Sequence, residues 1–182
     1  MTATATAQLR PFPGSAPGPI DSIAVHIFRE DRGGLRLRFE LLGEVQQVLV
    51  PAKCAPRAAD GLWAHTCGEA FVAVPGHPAY REFNFSPSGE WAIYDFDAYR
   101  QRSVPGIVPP APLIASRLET GRLVLDVTLD AAALPQGSPL ELGLTAVVET
   151  LDGTLSYWAL RHPSARPDFH LRDAFTLPLV RP

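Results

Sequence analysis

"YREFNFSPSGEWAIYDF", residues 80 to 96, alternates like a strand, breaks at Ser86-Pro87-Ser88-Gly89 and then alternates again. Pro87 presets φ for the first bend position and Gly89 can supply a positive φ, so the stretch predicts a tightly closed hairpin. Alternation sends Phe83 and Phe85 to one face and Tyr80, Glu82 and Asn84 to the other. The phenylalanine face reads as core. On the second face Tyr80 accompanies the carboxyl and amide, and Trp91 follows just past the turn. Aromatic planes beside hydrogen-bonding groups make a sugar-type surface, which sets this face apart from plain solvated sheet.

The pattern recurs on both sides of the hairpin. "LRLRFEL" puts Leu35, Leu37, Phe39 and Leu41 on one side and Arg36, Arg38 and Glu40 on the other. "SIAVHIF", "CGEAFVAV", "RLVLDVTL", "LELGLTAVVE" and "TLSYWALR" are further strand-like runs, separated by Gly, Pro, Asn and Asp punctuation such as "DRGG" and "LDGT". No segment holds helical periodicity over ten residues, and "LDAAALPQG" has room for a single helical turn. Eight to ten short strands in 182 residues imply an all-β, antiparallel β-sandwich of jelly-roll type. The expected interior is Leu35, Leu37, Phe39, Phe83, Phe85, Leu123, Leu125, Leu142 and Leu144. Residues 1–20, with "RPFPGSAPGPI" at 10–20, read as a flexible proline-rich arm. Residues 21–182 read as one domain, with 103–112 as a long crossover between sheets.

Composition narrows the partners. A chain of this length, 46% hydrophobic, can bury about 70% of its unfolded surface in one core. Net charge is -3 and Lys53 is the only lysine among sixteen basic residues, with no basic stripe, so no nucleic-acid partner is expected. The first twenty residues lack a charged n-region and an apolar run, and no window approaches a membrane span. A cytoplasmic protein without a membrane partner is expected. In that reducing compartment Cys54 and Cys67 are expected as free thiols.

Polar residues inside strand-like runs mark the candidate site. "GLWAHTCGEAFVAV" places Trp63, His65 and Glu69 ahead of or within a strand apolar on both faces, where a glutamate needs a partner or a ligand. "YWALRHPSARPDFH" offers His162, Asp168 and His170 in a connection stiffened by prolines; if it is extended, Asp168 and His170 point the same way. With Glu82 and Asn84 these residues form the candidate ligand site, Trp63 serving as its apolar platform.

"LWAHTCGEAF", "YREFNFSPSGEWAIYDFDAYR" and "SYWALRHPSARPDFH", in that order, resemble the bacterial DOMON-like domains, relatives of the family 9 carbohydrate-binding modules. The resemblance runs from about Ile20 to the C-terminus. It implies a jelly-roll sandwich that binds a sugar or a haem and performs no reaction. It also implies that Trp63 and Glu69, six apart, supply an aromatic plane and a hydrogen-bonding acid. A second aromatic of the sugar clamp would be Trp158 or Phe169. Methionine and histidine ligation of haem, as in the haem-binding branch, has no methionine here beyond Met1, which leaves only pairs drawn from His65, His162 and His170.

Two other classes stay open. A metal-dependent or acid/base enzyme could draw on His65, Glu69, Glu82, His162, Asp168 and His170, although no compact metal or nucleophile motif is present. A protein-interaction module could use a sheet edge or the N-terminal arm. The expectation is a non-catalytic domain for a glycan or sugar-containing small molecule, with no cofactor predicted.

Overall fold

The computed structural model describes residues 4–15, 18–104 and 106–180. Twelve strands run β1 (Ala5–Pro11), β2 (Ile20–Arg29), β3 (Leu35–Gly43), β4 (Cys67–Ala73), β5 (Tyr80–Phe85), β6 (Trp91–Ala98), β7 (Gln101–Ser103), β8 (Leu113–Glu119), β9 (Arg122–Leu129), β10 (Leu140–Glu149), β11 (Leu155–Ala159) and β12 (Leu177–Leu179). All pairings between them are antiparallel, and helix among the described residues is confined to single 3-10 turns. The protein is an all-β sandwich, and no helix among the described residues is long and apolar enough to cross a membrane.

The strand order is β7-β6-β5-β4-β10-β11-β1-β2-β3-β9-β8, with β12 on the free part of β10. β1 joins the two layers. Its residues Ala5 to Leu9 pair with β2 in the first sheet, and Arg10 and Pro11 pair with β11 in the second. A strand that changes sheets in this way makes a corner of the sandwich. The loose arm expected over 1–20 is therefore corrected for residues 5–11. Leu9 is buried in the core, and backbone groups that could have faced water are spent on two partners.

The main core lies between the sheets. Leu35, Leu37, Phe39, Phe83, Phe85, Leu123, Leu125, Leu142 and Leu144 all belong to it, as their alternation requires. Each such side chain contributes about 1.5 to 3 kcal/mol by leaving water. The segment after Ser103 does run from edge strand β7 of one sheet to edge strand β8 of the other. Cys54 is exposed, Cys67 is buried, and both are free thiols.

The central strands of the second sheet are buried on both faces, as the run apolar on both faces predicts for β4. Every residue of β4 is buried, and in β5 only Arg81 is not. Its outer face is covered by the connection between β11 and β12, residues 160–176, which forms a strap. Ala174 and Phe175 of the strap pack with Phe71, Ala73, Tyr80, Tyr94 and Phe96 into a second, smaller core. Gly143 on β10 makes this approach possible: a Cβ there would sit 2.6 Å from Phe175 Cδ1.

The hairpin between β5 and β6 closes as its sequence predicts. Gly89 N–H donates to Ser86 O (3.0 Å), Ser86 N–H donates to Glu90 O (3.0 Å), and Gly89 has φ +96°. A left-handed residue after Pro-Ser is the three-residue hairpin with a glycine bulge. Gly89→Val is expected to lower the unfolding free energy by about 1 to 2 kcal/mol, the cost of forcing a side chain into this region, and Gly89→Asn by less. Urea denaturation of the three proteins checks this; an unchanged midpoint for the valine variant would show that the turn does not depend on the positive φ.

Candidate functional site

The strap does not cover the outer face completely. Between it, the 3-10 turn Leu62–Ala64 and the β6–β7 hairpin lies a pocket of about 910 Å³. Its floor comes from alternate residues of the central strands. Glu69 and Phe71 of β4, Glu82 of β5, Tyr94 and Phe96 of β6, and Val147 of β10 line it. Register explains the arrangement: Glu69 stands opposite Asn84 and Thr145, and Glu82 stands opposite Phe71 and Tyr94. The two acids are thus diagonal neighbours, a relation that places residues about 7 to 8 Å apart and their Cβ atoms somewhat closer.

The floor is buried and acidic. Glu69 is 2% exposed and Glu82 4%. Glu69 accepts hydrogen bonds from Cys67 Sγ (3.5 Å) and Thr145 Oγ1 (3.1 Å). Burial, and after it the neighbouring Glu82 charge, nevertheless pushes its carboxyl up to about 8. Glu82 Oε1 accepts from Asn84 Nδ2 at 2.6 Å, yet burial raises this carboxyl as well. Asn84 is 0% exposed, and its Oδ1 has no hydrogen-bond partner among the described residues.

His170 hangs from the strap over this floor. Its Nδ1 lies 2.8 Å from the Tyr80 hydroxyl, which also accepts from Arg100 N–H at 3.1 Å. With Tyr80 donating to Nδ1, the imidazole proton sits on Nε2 and faces Glu82 Oε2 at 3.8 Å, too long for a direct hydrogen bond. Burial, reinforced by Arg100, lowers the imidazole to about 4. The ring is neutral at physiological pH and leaves a gap that a hydroxyl could bridge.

Four of the eight expected residues, Trp63, Glu69, Glu82 and His170, line the pocket. Leu62 is buried and anchors its turn, which leaves Trp63 57% exposed at the rim. The other four stand elsewhere. Asn84 shares the face of the two acids, outside the pocket lining, and holds Glu82. His65 is exposed and pairs with Glu149 at 2.8 Å. His162 bonds the Arg10 carbonyl (2.9 Å) and packs edge-on against Phe12 (5.3 Å between centroids). Asp168 and His170 do not project together, because the strap is not extended. Asp168 Oδ1 accepts the His170 backbone N–H (3.0 Å) and turns the chain, so the carboxylate reaches Arg100 (3.0 Å) and the Tyr99 hydroxyl (2.5 Å) instead. Burial favours its protonation, but these bonds outweigh burial and keep it below the usual carboxylate range.

Of the two candidates for the second aromatic, Phe169 lines the pocket and Trp158 is buried in the main core, while Tyr157, which the sequence did not single out, lines the pocket beside Phe169. Trp91 pairs with Phe85 and so takes the parity opposite to Asn84. Arg100 and Arg102, two apart on the β6–β7 hairpin, and Arg166 on the strap complete the site. The sign of Arg100 could not be found in composition, because its position depends on a two-residue turn in which it adopts φ +54°. No three His, Cys, Asp or Glu side chains converge on a metal position among the described residues.

No family model matches the chain, and comparison with curated proteins returns no match. Among solved structures the fold is similar to a "putative carbohydrate-binding protein" from Bacteroides uniformis ATCC 8492, with a TM-score of 0.70 and 17% identity. The superposition covers 97% of this chain and 85% of the other. At that identity the likeness shows a shared sandwich.

The acid floor makes stability depend on pH with a definite sign. Between about 4.5 and about 8 folded Glu69 keeps a proton that the unfolded chain releases, so its contribution falls as pH rises. Folded His170 refuses a proton between about 4 and 6.5, so its contribution rises with pH there. The two oppose one another up to 6.5, and above it Glu69 acts without that opposition. The unfolding free energy is expected to fall from pH 6.5 to 8 by up to ~1.4 kcal/mol per pH unit, and Glu69→Gln is expected to flatten the fall. Urea titrations at four pH values check this; an equal slope in the variant would assign it to another group.

Proposed function

We propose that the domain binds a carbohydrate or sugar-containing small molecule in this pocket and performs no reaction on it. The observation that carries this reading is the composition of one concavity. Buried Glu69 and Glu82 and the neutral His170 present directed polar groups, while Trp63, Tyr157 and Phe169 present aromatic faces around them. Stacking of C–H-rich ring faces on aromatics with hydroxyls bonded below is what a pyranose needs. A protonated Glu69 donates to a hydroxyl oxygen, and the Glu82 carboxyl accepts from one. The gap between His170 Nε2 and Glu82 Oε2 suits a hydroxyl that does both.

The resemblance to DOMON-like and family 9 carbohydrate-binding sandwiches supports the same reading, with Trp63 and Glu69 in the platform and acid positions. Phe169 or Tyr157, and not Trp158, then serves as the opposing aromatic. The similar fold of the Bacteroides uniformis protein agrees with it. Asn84 and Asp168 act one step back in this account, holding Glu82 and Arg100, and His65 and His162 fix the surrounding loops.

Trp63→Ala and Glu82→Gln are expected to weaken saccharide binding by about 1 to 3 kcal/mol each, the scale of a lost stacking contact or charged hydrogen bond, with the fold retained. A thermal-shift screen of mono- and disaccharides, sugar nucleotides and cell-wall fragments, followed by titration of each hit against both variants, checks this. A hit bound equally by wild type and both variants would place the binding site elsewhere. Cleavage of a hit during the titration would favour the acid/base alternative, for which Glu69 and Glu82 are the available pair.

A further inference from the structure

We propose that the saccharide taken by this pocket carries a carboxylate, so that the preferred ligand unit is a uronic acid or a similar acidic sugar held by the pocket's arginines. The inference rests on the carbohydrate reading and adds the charge of the ligand to it. Arg100, Arg102 and Arg166 all line the pocket, in a protein whose net charge is negative.

Their hydrogen-bonding capacity is largely unspent. Each guanidinium carries five N–H donors in a planar fork. Arg100 donates to Asp168 Oδ1 (3.0 Å) and is also bonded to the Tyr99 side chain, both partners lying outside the pocket lining. Arg102 stacks its guanidinium carbon 3.9 Å from the centre of the Tyr94 ring, and its nearest carboxylate, Asp60, is 3.7 Å away, beyond a hydrogen bond. Stacking uses the face of the guanidinium and leaves its edge free for two parallel bonds to a carboxylate. The Arg166 guanidinium makes no ion pair or side-chain hydrogen bond among the described residues.

Charge bookkeeping points the same way. Asp168 answers Arg100 and Asp60 answers Arg102, which leaves Arg166 in excess. Glu69, the acid that would repel an anion from the floor, holds its proton at neutral pH because it is buried. Glu82 is the remaining opposing group, and burial disfavours its charge.

Backbone conformation adds an independent observation. Arg100 sits at φ +54°, a region that favours glycine or asparagine, at the tip of the β6–β7 turn. Its N–H bond to Tyr80 would survive in a glycine, so the turn alone does not call for arginine. Strain kept at the edge of a pocket is expected where the side chain has work there.

Isothermal titration at neutral pH with matched pairs tests the proposal: glucose against glucuronate, galactose against galacturonate, and neutral against uronate-containing oligosaccharides, with glucose 6-phosphate as the phosphate arm. The expected result is at least tenfold tighter binding of the uronate member of a pair, a margin that shrinks with added salt. Arg102→Gln and Arg166→Gln should each reduce the margin at least threefold, with circular dichroism confirming that both variants fold. Equal affinity within every pair would overturn the acidic-sugar proposal and leave the carbohydrate reading standing. Tighter binding of glucose 6-phosphate than of any uronate would overturn the carboxylate assignment. Absence of binding by every member would overturn the carbohydrate reading itself, and this proposal with it.

Discussion

Burying two carboxyls and an amide on the outer face of a sheet is the constraint on which the rest of this structure depends. An unpaired carboxylate in such a place costs several kcal/mol, and an unpaired amide oxygen costs about 1 to 3. The protein meets the cost partly by pairing and partly by protonation. Asn84 is spent on Glu82, Thr145 and Cys67 on Glu69, and Glu69 keeps its proton. What is not met, the Asn84 Oδ1 atom and the incomplete contact between His170 and Glu82, lies in or beside the pocket floor. A polar floor left short of partners beneath a roomy cavity is the arrangement that a polyhydroxylated ligand completes.

The strap follows from the same constraint. Without it β4, β5 and β6 would present Phe71, Tyr80 and Phe96 to water, and with a fully packed strap no pocket would remain. Gly143 lets Phe175 close one end of the face, and the Asp168 turn holds the other end open by carrying His170 inward and Pro167 and Phe169 to the wall. Tyr80 ties the two ends together: its ring stacks on Phe96 at 4.7 Å, and its hydroxyl joins the Arg100 backbone to the His170 imidazole. The aromatic on the polar face of the opening stretch is thus a structural joint between the floor, the hairpin and the strap.

Much of the fold was legible because period-2 alternation marks any strand with one buried face. Leu35, Leu37 and Phe39, and again Phe83 and Phe85, announced the main core in this way. β8 escaped because its residues are nearly all exposed, as an edge strand's can be, and β1 because it lends five residues to one sheet and two to the other. At the site, Glu69, Glu82 and Trp63 stood out as polar or aromatic residues out of place in their runs. His65 and His162 stood out equally and are loop ties, since residue type alone cannot tell a ligand contact from a local hydrogen bond. Tyr157 was hidden by its neighbour Trp158, whose parity sends it inward, and the arginines were hidden because their meeting depends on a turn and a strap distant in sequence.

The central claim is that Glu69 lies in a dry floor beneath a ligand pocket and not on a solvated sheet face. Carbon-13 NMR titration of the glutamate side-chain carboxyls, with Glu69 assigned through Glu69→Gln, tests it most directly. A midpoint near 8 for Glu69, moved by an added saccharide, is the predicted result. A midpoint near the ordinary value of 4.5, unmoved by any saccharide, would contradict it.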